Sequence, residues 1–145
     1  MGKKTSEKPV QYVLTLSEEQ AKCLSAACEF YARIRIGQFN EIIHRCLDLS
    51  IESGDYCRRR DEAERLLYLA RKEIYPELYG IGHSYGVGNC TGKMEDAGIV
   101  WELYEVLRNK IAWHEHPEGG GGVNFYPPWS IHGRPLAKCE VVEIK

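Results

Sequence analysis

Val10-Gln-Tyr-Val-Leu-Thr-Leu-Ser-Glu-Glu-Gln20 decides the fold class, because its two halves ask for different structures. Residues 10–16 carry β-branched and aromatic side chains that alternate in their first half, the pattern of a strand. Ser17 followed three places on by Gln20 is a capping box, so a helix begins there. At the far end of the chain Leu136-Ala-Lys-Cys-Glu-Val-Val-Glu-Ile144 reads as a second strand. With helices between them, these two segments predict an α+β fold: mainly helical, with three to four helices and a small antiparallel sheet formed by the N- and C-terminal strands. A two-stranded ribbon is marginal alone. It must lie on the helices or extend through a second subunit, which points to a homo-oligomer.

The capped helix runs through Tyr31. Its apolar or small residues at 23, 24, 27, 28, 30, 31 and 34 cover most of the circumference, as in a central, buried helix. Gly37 interrupts the pattern, which resumes at Phe39, Ile42, Ile43, Cys46 and Leu47. Residues 58–74 form the next helix, with a stripe of Ala63, Leu66, Leu67, Ala70 and Ile74, and Pro76 ends it. Residues 95–113 form an amphipathic helix on Ile99, Val100, Leu103, Val106, Leu107 and Ile111. Glu95 and Asp96 in its first turn, and Arg108, Lys110 and His114 in its last turns, suit the helix dipole. Residues 1–9 are charged, end in proline and read as a disordered tail, leaving residues 10–145 as one domain.

Composition excludes several classes. The 145 residues are 43% hydrophobic and 28% charged, with a formal net charge of -2. That balance gives no general attraction to a nucleic-acid polymer or an acidic membrane. No apolar run approaches the roughly 18 residues of a membrane helix. The N-terminus has no secretory h-region. Gly2 and Ser6 satisfy the minimal myristoylation pattern, but no second anchor accompanies them. A cytoplasmic location follows. The six cysteines include no CxxC pair, and Cys23, Cys28 and Cys46 sit at core positions as reduced thiols. A zinc site from Cys90, His114, His116 and Cys139 lacks ligand spacing.

Two long polar loops flank the helix at 95–113, and loops of that length in a small domain are usually functional or disordered. The first contains Gly80-Ile-Gly-His-Ser-Tyr-Gly-Val-Gly-Asn89. It is no phosphate loop: Val87 stands where the first glycine belongs and Met94 where the hydroxyl belongs. The second contains Gly119 to Gly122, a hinge for a flap, followed by Val123-Asn-Phe-Tyr-Pro-Pro-Trp129. Together they offer a site for a flat, charged guest. Tyr85, Trp113, Phe125 and Trp129 would stack on a base. Arg33, Arg35 and Arg134, with Lys93, would meet phosphate. Ser84, Asn89 and Asn124 would read polar edges. No credible nucleophile or metal set is visible, and no cofactor is implied.

Tyr31-Ala-Arg-Ile-Arg-Ile-Gly-Gln-Phe39, Ser84-Tyr-Gly-Val-Gly-Asn89, Ile111-Ala-Trp-His-Glu-His-Pro-Glu-Gly-Gly120 and Val123-Asn-Phe125 resemble a family of small proteins from tailed-phage and prophage genomes. The likeness covers most of residues 12–142. The family brings genomic context and no assigned chemistry. Where those relatives have a single polar residue, this chain has the pair His114 and His116, which puts a family-wide metal site in doubt. The resemblance implies a phage setting, in which small proteins without a catalytic set can act as sponges for immune signals. The expectation is a non-catalytic binding protein that sequesters a nucleotide-derived immune second messenger, a cyclic nucleotide or cyclic ADP-ribose-like molecule. Two alternatives stay open. One is a hydrolase of such a signal using His83, His114, His116 and His132. The other is an inhibitor that binds a host defence protein by surface contact.

Overall fold

The computed structural model describes residues 10–143; the tail predicted at 1–9 lies outside the described residues. Four α-helices carry the fold among the described residues: α1 (Glu18–Arg35), α2 (Glu41–Cys46), α3 (Ser53–Ile74) and α4 (Glu95–Glu115). Three single 3-10 turns sit in the connections, at Val87–Asn89, Gly92–Met94 and Val123–Phe125.

The predicted α+β class is corrected here. No strand occurs among the described residues. Residues 10–16 have no regular structure, with Tyr12 95% and Val13 94% exposed. Residues 136–143 are likewise irregular, with Val141 and Val142 exposed. Strand preference is a preference for a paired, half-buried surface, and it has no effect where no second strand comes alongside. The helix half of the opening stretch forms as read. The Ser17 hydroxyl accepts from the Gln20 backbone N–H (3.2 Å), and the Gln20 side chain accepts from the Ser17 N–H (2.9 Å).

The centre of the fold is the antiparallel pair α1 and α4. Lys22 meets Glu115 at one end of the pair, and Arg35 meets Asp96 at the other. Between them lie Cys28, Ala32, Ala97, Val106, Leu107 and Ala112, all buried. Alanines at the contact let two helices approach closely and fill the space without strain. The expectation that α1 is buried all round is corrected: only Ser25, Cys28 and Ala32 are buried within it, and Tyr31 is exposed. Cys23 and Cys46, expected in the core, are exposed, while Cys28 and Cys90 are buried. One packed neighbour covers one face of a helix, and α1 has α4 alone along most of its length.

Gly37 turns the chain from α1 into α2 with φ +88°. A Cβ there would sit 2.6 Å from the Leu78 Cδ1, so both the backbone and the space require glycine. Beyond it, α3 stands against α2 and the first loop. Its expected apolar stripe is split. Ala63 and Leu67 are half-buried, whereas Leu66, Ala70 and Ile74 are exposed. On α4, Val106 and Leu107 are buried as expected, but Ile99 is exposed. Two glutamates, Glu102 and Glu105, are buried on the same helix.

Those two carboxylates explain the path of the C-terminal segment. Glu102 accepts from the Ile131 N–H (2.7 Å), and Glu105 accepts from the Trp129 N–H (3.3 Å) and from the Trp101 indole (3.2 Å). Arg134 pairs with Glu95 and lies 3.9 Å from Glu102. Residues 129–134 are thereby strapped back along α4. The strap comes close enough that a Cβ on Gly98 would lie 3.1 Å from the His132 Nε2. No helix among the described residues is long and apolar enough to cross a membrane.

Candidate functional site

The arginines singled out for phosphate are already held by carboxylates. Arg35 grips Asp96 through Nε and Nη2, and the Tyr31 hydroxyl donates to the same carboxylate. Hydrogen bonds from Arg35 and then Tyr31 hold the Asp96 carboxyl below its ordinary pKa. Arg33 pairs with Glu29 at 2.9 Å, donates to the Gln38 side chain at 2.8 Å, and lies over the Trp101 ring at 5.6 Å. Arg134 is held by Glu95. The Lys93 side chain lies outside the described residues.

The expected aromatic flap is a clasp on the C-terminal half of α4. Trp113 and Phe125 pack edge to face at 5.3 Å, and the Trp113 indole donates to the Phe125 carbonyl at 3.3 Å. The Asn109 side chain donates to the carbonyls of Asn124 (3.1 Å) and Tyr126 (2.9 Å). Gly119 and Gly120 lie against the Trp113 and Phe125 rings, while Gly121 and Gly122 are open. Four glycines in a row here permit close packing at two positions and slack at the next two.

The sequence-chosen residues therefore fall into separate groups. Arg33, Arg35, Ser84, Tyr85 and Asn89 belong to the α1 end and the first loop. Trp113, Asn124 and Phe125 stand at the other end of α4. The helical rise puts Asp96 and Trp113 about 26 Å apart. Trp129 and Arg134 lie on the returning strap between them. Tyr85 is itself packed: its ring meets Tyr75 edge-on at 5.6 Å, and its N–H donates to the Ile36 carbonyl at 2.9 Å.

A concave surface lies where α2 and α3 meet the first loop. An open hollow of about 240 Å³ is lined by Gln38, Phe39, Asn40, Glu41, Arg71 and Ile81 to His83. A smaller one of about 40 Å³ adjoins it, against Phe39, Leu67, Tyr68 and Arg71. Arg71 is the notable wall. It is only 6% exposed, and its guanidinium donates to the carbonyls of Ile81 (3.0 Å), His83 (3.0 Å) and Gly80. Its Nε has no partner. None of the ion pairs among the described residues involves it, although Glu41 and Glu64 line the same hollows. Glu41 is already near Arg33 and Arg45, each at 3.8 Å.

Around Arg71 the hollow offers several further contacts. Phe39 presents a ring that meets Tyr75 at 6.1 Å. Asn40 is exposed at the start of α2. His83 accepts from the Gly80 N–H at its Nδ1 (3.3 Å), which leaves Nε2 as the donor of the neutral ring. Of the sequence-chosen residues, Arg33 and Ser84 touch its lining, Arg33 donating to the Gln38 side chain at 2.8 Å and Ser84 accepting from the Gln38 amide at 3.3 Å. The sequence reading passed over Phe39, Asn40 and Arg71. The available signal was a cation on the inward seam of α3, spaced at four and eight residues from Leu67 and Ala63.

The four histidines of the hydrolase alternative do not converge. His83 borders the hollow, His132 packs on Gly98, and His114 and His116 are exposed where α4 ends. No group of three His, Cys, Asp or Glu among the described residues is arranged to hold a metal ion. Cys90 is buried, its thiol donating to the Gly86 carbonyl at 3.4 Å, and burial pushes its pKa up. It is poorly placed as a nucleophile. Comparison with protein-family models, with curated proteins and with solved structures finds no match to this chain.

Proposed function

We propose that this chain is a binding protein, without chemistry of its own, for a small nucleotide-like anion seated between α2, α3 and the first loop. The observation that carries the reading is Arg71. A buried guanidinium held by three carbonyls and lying over the Tyr68 ring at 5.5 Å, with no carboxylate partner, favours an anion nearby. A phosphate or carboxylate at the hollow would supply the missing charge. Phe39 would stack on a base, and Asn40 and the His83 Nε2–H would bond its polar edges. The hollow is smaller than the roughly 300–1,000 Å³ of drug-sized sites. It therefore suits one nucleoside phosphate, or one such unit of a larger cyclic molecule.

In the phage setting of the resemblance, this activity would sequester an immune second messenger in the cytoplasm of the bacterial host. Calorimetry of the purified chain against nucleoside monophosphates, cyclic dinucleotides, cyclic trinucleotides and cyclic ADP-ribose isomers tests the reading. At least one submicromolar binder is expected, recovered intact after heat denaturation of the protein. Phe39→Leu and Asn40→Ala should each weaken it about tenfold, the loss of one stacking or hydrogen-bonding contact. A flat panel refutes the proposal, and a converted ligand replaces binding with catalysis.

A further inference from the structure

Tyr126-Pro-Pro-Trp129 forms a stiff ridge along α4. Tyr126 has φ -71° and ψ 139°, the values of a polyproline II helix. The ring of Pro127 fixes its φ at about -65°, and Pro128 behind it keeps Pro127 out of the helical region. One turn of polyproline II takes three residues and spans about 9 Å, which sets Tyr126 and Trp129 on the same side.

Exposure follows that three-residue period. Val123, Tyr126 and Trp129 are 57%, 59% and 55% exposed, whereas Phe125, Pro128 and Ile131 are half-buried. The backbone is tied down at both ends. The Asn109 side chain donates to the Tyr126 carbonyl at 2.9 Å, and Glu105 accepts from the Trp129 N–H at 3.3 Å. Asn109 and Glu105 are about one turn apart on α4, so the ridge runs antiparallel to the helix. Its backbone is ordered by the fold, which lowers the entropy cost of docking it.

The ridge also defines the chemistry of what would cover it. Residues 119–131 carry no charged side chain. Pro127 and Pro128 have no N–H and present carbonyl acceptors alone. A complementary surface is therefore concave, lined by aromatic rings and supplied with hydrogen-bond donors, without a need for charge. A second copy of this chain fits poorly, because its hollows beside Arg71 are lined by Arg71, Glu41 and Glu64, charges that the ridge would leave unanswered. We infer that residues 126–129 are a docking ridge for a protein that reads polyproline II through an aromatic-lined groove. None of the four residues lines the hollow at Arg71, so the inference does not rest on ligand binding there.

Biolayer interferometry of the full chain against purified SH3, WW and EVH1 domains, which read polyproline II in this way, tests it. At least one domain should bind with a micromolar dissociation constant. A proline decapeptide should displace it, and affinity should hold in about 1 M salt, where charge attraction is screened. Trp129→Ala and Tyr126→Ala should each weaken binding at least tenfold, and Pro127→Ala with Pro128→Ala about tenfold, with the far-ultraviolet circular dichroism unchanged. Should Trp129→Ala lose helicity, Tyr126→Ala decides, because residue 126 is held by Asn109 through its backbone carbonyl. Tyr12→Ala, which removes an exposed aromatic outside the ridge, should change nothing. A panel without a binder overturns the inference. So does binding that ignores the Tyr126 and Trp129 variants or the proline peptide, binding abolished by salt, or a ridge that joins two copies of this chain instead.

Discussion

Replacing Gly37 with alanine should destabilise the chain by about 2–5 kcal/mol, from two terms that can be measured apart. The first is backbone: at φ +88° an L-residue is in the left-handed region, at a cost of about 1–2 kcal/mol. The second is space: the new methyl would lie 2.6 Å from the Leu78 Cδ1, and Leu78 is buried, so its side chain has little room to yield. Overpacking of this kind costs about 1–3 kcal/mol. At the midpoint, a loss of about 3 kcal/mol corresponds to a fall in Tm of about 6–12 °C for a chain of this length. Urea unfolding followed by circular dichroism gives the total. A double-mutant cycle with Leu78→Ala separates the terms, because in that background only the backbone cost of about 1–2 kcal/mol should remain. The position also sets the turn that presents Gln38, Phe39 and Asn40 to the hollow, so ligand affinity should fall with stability. A change below about 0.5 kcal/mol, the usual range of an inert surface substitution, would refute the reasoning about this corner.

Three further outcomes follow from particular contacts. Glu102→Ala leaves the Ile131 N–H without its carboxylate and should cost about 1–3 kcal/mol; limited proteolysis should then cut residues 129–134 faster, and an uncut strap would show that other contacts hold it. Asp96 is held below its ordinary carboxyl value of 3.8, so its stabilising effect is full above that value and is lost as the pH falls through the lower folded-state value. Asp96→Asn should accordingly flatten the acid limb of the stability profile, by a modest amount because the group is partly exposed; an unchanged limb would disprove the assignment. Alkylation followed by mass spectrometry should label the exposed Cys23, Cys46 and Cys57 well before the buried Cys90, and a Cys90 that reacts first would contradict the packing described at the first loop.

Much of the helical plan was legible along the chain. The Ser17 and Gln20 capping box, the break at Gly37, the stop before Pro76 and the amphipathic stretch of α4 are local signals, settled by backbone geometry and by hydrogen bonds within a few residues. The two terminal strands were not settled this way. Residues 10–16 have the right side chains, but a strand exists only by pairing, and pairing depends on where a distant segment is carried.

The same limit governed the site. Loop composition joined Trp113 and Phe125 to Arg35, which α4 holds about 26 Å away. Arginine beside an aromatic cluster reads as a phosphate grip only while its carboxylate partners, Asp96, Glu29 and Glu95, are out of view. By itself the sequence determined where α1 begins, that the chain breaks at Gly37 and where α3 stops, although it started α3 at residue 58 and the helix begins at Ser53. Tertiary structure alone decided which face of α3 turns inward, where the C-terminal strap is tied to Glu102 and Glu105, and which arginine is left without a counter-charge. Charge compensation and burial are sums over neighbours distant along the chain, so no window of sequence contains them.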